Sequence, residues 1–245
     1  MKKIIALVLV AVMALGCLAA CGETNTPAAT NEGTTNVTPS TPEEVEAAQA
    51  EIRYALGLLY DFDGTLYAGD STVDFLKYSF RKHPGLIRFL PAMGIAALKH
   101  YCFKSIDKTT MKQVFYSMFT GYDAESLLEE FWDIHQKNLF PWYHGKQQKE
   151  DDIIISASPE FLLRPICDRL GINHLMASRV DSKTGRYTGK NCWGPEKPIR
   201  LKEQMGITHC DNFYSDSYSD QPLAEIADKA VIVNKDGSFS EWIFR

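Results

Sequence analysis

Residues Leu58 to Leu66 read Leu-Leu-Tyr-Asp-Phe-Asp-Gly-Thr-Leu, an apolar run that ends in two aspartates two positions apart and then a glycine turn. This segment restricts the fold more than any other. In an extended strand residues i and i+2 share a face, so Asp61 and Asp63 converge on one centre where the chain leaves a sheet. In open α/β sheets a ligand cleft belongs at that carboxyl end. The pair suits a carboxylate nucleophile beside a carboxylic acid. Taken alone, an acidic pair beside glycine also describes a solvated turn or a helix cap.

Partners follow downstream in the order one site would require. An apolar run from Ile153 to Ile155 ends in Ser156, Lys197 opens a helical segment, and Asn212 to Tyr214 leads into Ser215-Asp216-Ser217-Tyr218-Ser219-Asp220. Each has a plainer reading. A lysine near a helix start is usually a solvated surface group, Ser156 can simply end a strand, and Asp216 with Asp220 can form a capping turn. Ser158 before Pro159-Glu160 reads as a helix cap. The joint placement at successive strand ends is what favours a site.

About ninety residues separate Asp63 from Ser156, far more than a simple crossover needs. Helical patterns fill the gap: Val73, Phe75, Leu76 and Phe80; Leu86, Phe89, Leu90, Ile95 and Leu98; Met111, Val114, Phe115 and Met118; Leu127, Leu128 and Phe131. Pro84-Gly85, Pro91 and Gly121 punctuate them. The expected result is a helical bundle over the cleft, covering residues 68–149. After Ser156 helix and strand alternate. Helices are expected from about Pro159 to Leu170, Glu196 to Met205 and Asp220 to Ala227, and strands at about His174 to Arg179, Asn212 to Ser215 and Ala230 to Asn234. A hairpin turns at Ser182 to Gly185. Such alternation implies a parallel sheet layered by helices.

Asp61-Phe62-Asp63-Gly64-Thr65, Ser156, Lys197 and Asp216 to Asp220 resemble the four motifs of the haloacid dehalogenase superfamily, over about residues 56 to 240. Ile155 to Phe161 and the helical insertion resemble its phosphoserine-phosphatase-like branch, which contains mostly magnesium-dependent phosphatases. The resemblance implies an α/β fold: a Rossmannoid parallel sheet flanked by helices, its core formed by 43–67 and 150–245, with an inserted cap. It also implies a small phosphorylated metabolite as substrate.

Under that resemblance Asp61 attacks phosphorus and becomes an aspartyl-phosphate. Asp63 protonates the leaving alkoxide and then activates water; the superfamily's dehalogenases lack this second aspartate. Mg²⁺ would be held by Asp61, the Asp63 carbonyl and Asp216. Ser156, the Ala157 amide, Thr65 and Lys197 would meet the phosphate. Asp220 and Ser217 would support, and Asp70 stands where phosphoserine phosphatases carry an acid for the substrate amine, or is a solvated loop residue. Arg81, Lys82, Lys104 and Lys108 are candidates for a substrate carboxylate. Ser215 and Ser219 depart from the glycine and asparagine common in the family. Two further readings stay open: a lipid-anchored binding protein that turns nothing over, and a phosphotransferase using the same intermediate.

The first fifty of the 245 residues do not read as globular. Met1-Lys2-Lys3 and the apolar stretch Ile4 to Ala20 have signal-peptide character, and Leu18-Ala19-Ala20-Cys21 resembles a bacterial lipobox with Cys21 as the lipidated residue. An uncleaved membrane anchor is the alternative. Residues 22–42 have the composition of a disordered tether, and Thr41-Pro42-Glu43-Glu44 starts a helix. The expected location is therefore extracytoplasmic and membrane-anchored; a cytoplasmic one follows if the signal is not used. A net charge of −5 without a basic stripe interleaved with aromatics makes nucleic acid an unlikely partner. Cys102 and Cys167, in helical apolar contexts, are expected in the core.

Overall fold

The computed structural model describes residues 58–143, 148 and 151–244. The signal-like stretch, the tether, Cys21 and the helix expected from Thr41 lie outside the described residues.

A six-stranded sheet in the order β3-β2-β1-β4-β5-β6 organises the chain. Its strands are β1 (Leu59–Tyr60), β2 (Ile153–Pro159), β3 (His174–Ser178), β4 (Cys210–Ser215), β5 (Ala227–Val233) and β6 (Phe239–Glu241). The first five are parallel, and β6 is an antiparallel edge strand. Strand β1 is central: Leu59 stands opposite Ile153 and Phe213, and Tyr60 opposite Ile154 and Tyr214. Alternation then divides the core. Leu59, Ile153, Ile155 and Phe213 pack on one face with Leu201 and Leu223. Tyr60 and Ile154 pack on the other with Leu162, Leu163 and Trp132.

Between β1 and β2 lie α1 (Ser71–Lys82), a 3₁₀ segment Pro84–Phe89, α2 (Leu90–Tyr101), α3 (Lys108–Tyr116) and α4 (Leu128–His135). They divide into two kinds. Helices α1 and α4 share the sheet's core through Phe75, Phe131 and Trp132, whose indole donates to the Leu162 carbonyl at 2.8 Å. Helix α2 instead packs on α3 through Ala96, Ala97 and Met111, a small separate cluster.

The second half carries α5 (Glu160–Arg169), α6 (Glu196–Met205) and the short α7 (Gln221–Ala224). Three expectations change. Pro91 does not break a helix but sits in the first turn of α2, where its missing N–H costs nothing. The helix expected over Asp220 to Ala227 shrinks to one turn because β5 begins at Ala227, and Cys102, at the end of α2, is exposed. Cys167 is buried as expected.

Candidate active site

Asp61 follows β1 directly, and its N–H donates to the Tyr214 carbonyl at 2.9 Å, carrying the ladder one residue past the strand. The chain then turns at Gly64, whose φ of +74° suits glycine. A side chain there is excluded twice over, since a Cβ would lie 2.2 Å from Asp216 Oδ2. Asp216, the first residue after β4, therefore closes over the Asp61–Asp63 turn. Thr65 fixes this closure: it is fully buried and its hydroxyl accepts from the Asp216 N–H at 3.0 Å. That places Thr65 beneath the two loops rather than on the phosphate the resemblance implied.

Lys197, in the first turn of α6, is 1% exposed. Its ammonium donates to Asp61 Oδ1 at 3.0 Å and Asp220 Oδ2 at 2.5 Å. Burial weakens its hold on the proton, but Asp220 and Asp61 overcome that and hold it above the ordinary lysine range. Ser215 donates to the same Asp220 oxygen at 3.0 Å and accepts from the Ser217 N–H, so the serine in the place of glycine ties the fourth motif together. Ser217 caps the turn Tyr218–Asp220 by accepting from the Ser219 N–H.

Asp63 sits under a different set of donors. Its Oδ1 accepts from the Ser71 N–H at 2.6 Å and its Oδ2 from the Ser158 hydroxyl, which also meets Thr72. Burial, then the Asp70 charge, pushes Asp63 up to about 7, against those hydrogen bonds. Burial also raises Asp61, with Lys197 opposing and Asp220 adding. Loss of solvent in the cleft, then the charges of Asp61, Asp220 and Asp63, push Asp216 up to about 7. Asp216 keeps surface open to water, so the charges are the part its position supports. A turn that crowds carboxylates in this way favours a bound cation.

Strand β2 contributes Ser156, 1% exposed, where the β2–β3 register shifts between Ile155 and Pro159. The strand runs on to Pro159, and Ser158 does not cap α5: its hydroxyl is taken by Asp63, its N–H donates to Ser156, and Pro159 is the capping residue. Ala157 presents its carbonyl to Ser178 at 3.0 Å and to the Lys112 ammonium of α3 at 3.2 Å. Asp70 is exposed and caps α1 by accepting from the Val73 N–H at 2.9 Å. Of the cap cations named from sequence, Lys82 pairs with Glu130. Lys112 was missed. Half-buried, it reaches over the cleft mouth close enough to feel Asp70, Asp63 and Asp61; burial, with Lys108 adding, outweighs them and lowers its pKa.

The donor set for a cation is oxygen only: Asp61, Asp216 and backbone carbonyls. Among the described residues no group of three or more His, Cys, Asp or Glu side chains forms a metal cage, so main-chain oxygens and water would complete the shell, as a hard octahedral ion accepts. Asp220 Oδ1 is buried with no hydrogen-bond partner among the described residues, a place for an ordered water.

A parallel sheet whose central strands deliver an acidic pair, a serine and a second acidic turn to one edge, with a buried lysine between, defines an α/β protein with a carboxylate-centred cleft. The chain belongs to the haloacid dehalogenase-like hydrolase family, whose model matches residues 58–225. It is 28% identical over 198 residues to a probable phosphatase of Mycobacterium tuberculosis, covering 72% of this chain and 68% of that one. It is 24% identical over 210 residues to a histidinol-phosphatase of Neisseria meningitidis, covering 75% and 92%. A solved structure of a Bordetella pertussis protein of unknown function shares the fold, with a TM-score of 0.58 and 22% identity over 72% of this chain and 88% of that one.

Proposed function

We propose that this hydrolase is a Mg²⁺-dependent phosphomonoesterase of the phosphoserine-phosphatase-like kind, working through an aspartyl-phosphate on Asp61. The observation that carries the reading is the division of labour between the two aspartates. Asp61 faces the Lys197 ammonium at 3.0 Å, a cation that opposes the effect of burial and suits a carboxylate attacking an anionic phosphate, while Asp63 faces only the neutral Ser71 and Ser158 donors and is pushed up to about 7, which suits an acid. Paired carboxylates with different partners, one on a cation and one on neutral donors, are what nucleophile and acid require.

Asp61 attacks phosphorus in line as the bond to the ester oxygen breaks, and the Asp63 proton goes to the leaving alkoxide. Asp63, now a carboxylate, takes a proton from the water that displaces Asp61 from phosphorus. Ser156 at the end of the site and Lys197 supply donors to the phosphate oxygens, and Asp220 holds Lys197 in place. When bound by Asp61, Asp216 and the Asp63 carbonyl, Mg²⁺ offsets the repulsion between the substrate's phosphate and the carboxylates. The cap helices exclude water and select among small phosphorylated metabolites.

Hydrolysis of p-nitrophenyl phosphate with and without Mg²⁺ is the direct test. Asp61→Asn should lose at least about a thousandfold in rate; full activity in that variant would end the nucleophile assignment. Faster delivery of phosphate to an added alcohol than to water would favour a phosphotransferase. We also read the N-terminal segment as a lipoprotein signal lipidated at Cys21, on the strength of Leu18-Ala19-Ala20-Cys21. Globomycin should then leave a heavier precursor in cells, and an unchanged mass argues against it.

A further inference from the structure

From Phe75 to Ile106 the chain carries six of its 26 Lys and Arg and none of its 31 Asp and Glu. In a chain of net charge −5 this is a local inversion of sign, and it coincides with an unusual helix. Helix α2 buries Ala96 and Ala97 against α3, and Met93 in the main core. Its other side is apolar too: Ile95 is 56% and Leu98 46% exposed, and Phe103, just past the helix, is 68% exposed. Pro91, Ile95, Leu98 and Cys102 fall at spacings of four, three and four, which is one face. A water-facing side would ordinarily be polar.

The face points away from the catalytic cleft. Helix α3, on which α2 lies, reaches the body of the enzyme through Lys112 to the Ala157 carbonyl and Gln113 to the Gly185 carbonyl at 2.6 Å. The apolar stripe is on the far side of α2 from that contact. Of the six cations, Lys77 and Lys82 face Asp74 and Glu130; Arg88 and Lys99 are exposed at the two ends of the stripe.

We infer that this face of α2 docks on the surface of an anionic phospholipid membrane, lying in the interface with Ile95, Leu98 and Phe103 inserted and the cations over lipid phosphates. Apolar insertion and basic attraction together are what hold an interfacial helix. At twelve residues α2 cannot span a bilayer, and among the described residues no helix is long and apolar enough to do so. A second copy is the poorer occupant, because a two-fold contact would set the basic surface against itself. The inference does not depend on the phosphatase reading.

Exposed Cys102 reports on this face, while Cys167, Cys192 and Cys210 are buried. The full chain is mixed with vesicles of phosphatidylcholine alone or with phosphatidylglycerol, and alkylation of Cys102 is followed by peptide mass. Anionic vesicles should slow it about tenfold, neutral ones little. The protection should vanish in Ile95→Asp/Leu98→Asp and weaken in Arg88→Glu/Lys99→Glu, with the circular-dichroism spectrum and the alkylation of Cys102 in the absence of vesicles unchanged in both. Equal alkylation with and without anionic vesicles overturns the inference, even if the chain co-sediments with them, since binding would then belong to the N-terminal segment. Protection that rises with protein concentration in the absence of lipid also overturns it, in favour of a second copy.

Discussion

At the residue scale the site turns on how differently two aspartates two positions apart are treated. Asp63 accepts from the neutral donors Ser71 and Ser158, whereas Asp61 meets the Lys197 ammonium. If Asp63 is the acid and base, Asp63→Asn should slow turnover of alkyl phosphates by about a hundredfold or more. It should slow p-nitrophenyl phosphate less, because that leaving group needs no proton. The aspartyl-phosphate should then accumulate, visible as a mass increase on the peptide holding Asp61; equal losses on both substrates without accumulation would remove Asp63 from its role. These residues were legible because the strand's period of two puts them on one face whatever the tertiary detail. Lys112 was not. A lysine on an amphipathic helix reads as solvated, and only the docking of α3 against β2 brings it over the cleft. Lys112→Met should raise KM for a phosphomonoester about tenfold with kcat little changed, the pattern of lost ground-state binding; an unchanged KM would place Lys112 outside the substrate's reach.

At the element scale the turn after β1 is the least forgiving piece of backbone. Gly64→Ala meets both a positive φ and the Asp216 carboxylate 2.2 Å from the new Cβ. The strain alone is worth about 1–3 kcal/mol, and relief requires Asp216 to move off the site. The variant should therefore lose activity beyond its loss of Tm, and retained Mg²⁺ stimulation would show that Asp216 can move without cost. The elements themselves were read unevenly. Helix α6 matches its expected span at both ends, since Pro195 starts it and Gly206, in the left-handed region, ends it. Strand β6 went unread although Asp236-Gly237 marks a hairpin turn, because its three residues are all exposed and show no buried alternation. The helices between β1 and β2 read correctly as helices. That α1 and α4 pack mainly in the sheet's core while α2 packs mainly on α3 depends on contacts between segments distant in sequence, which periodicity does not carry.

At the scale of the whole molecule, the crowding that suits catalysis should cost stability. Asp63 and Asp216 are pushed from 3.8 to about 7 in the folded state, so between those values the folded chain holds more protons than the unfolded one. Stability then falls as pH rises through this window and is regained as pH drops, the reverse of a carboxylate held by a salt bridge. In a chelator the Tm should climb as pH is lowered from about 8 to about 5, before the hydrogen-bonded surface acids Asp107, Asp181 and Asp236, whose pKa values are depressed, begin to protonate and reverse the trend. Asp216→Asn should flatten that climb and raise the Tm at the alkaline end while abolishing activity, the trade expected where function keeps like charges together. A divalent cation that binds the carboxylates should stabilise most where they are ionised, so added Mg²⁺ should raise the Tm more at about pH 8 than at about pH 5. Differential scanning fluorimetry across the pH series, with chelator and with Mg²⁺, reads all three effects. A Tm that falls steadily on acidification in chelator would mean that the cleft's acids are not the strained groups this geometry makes them.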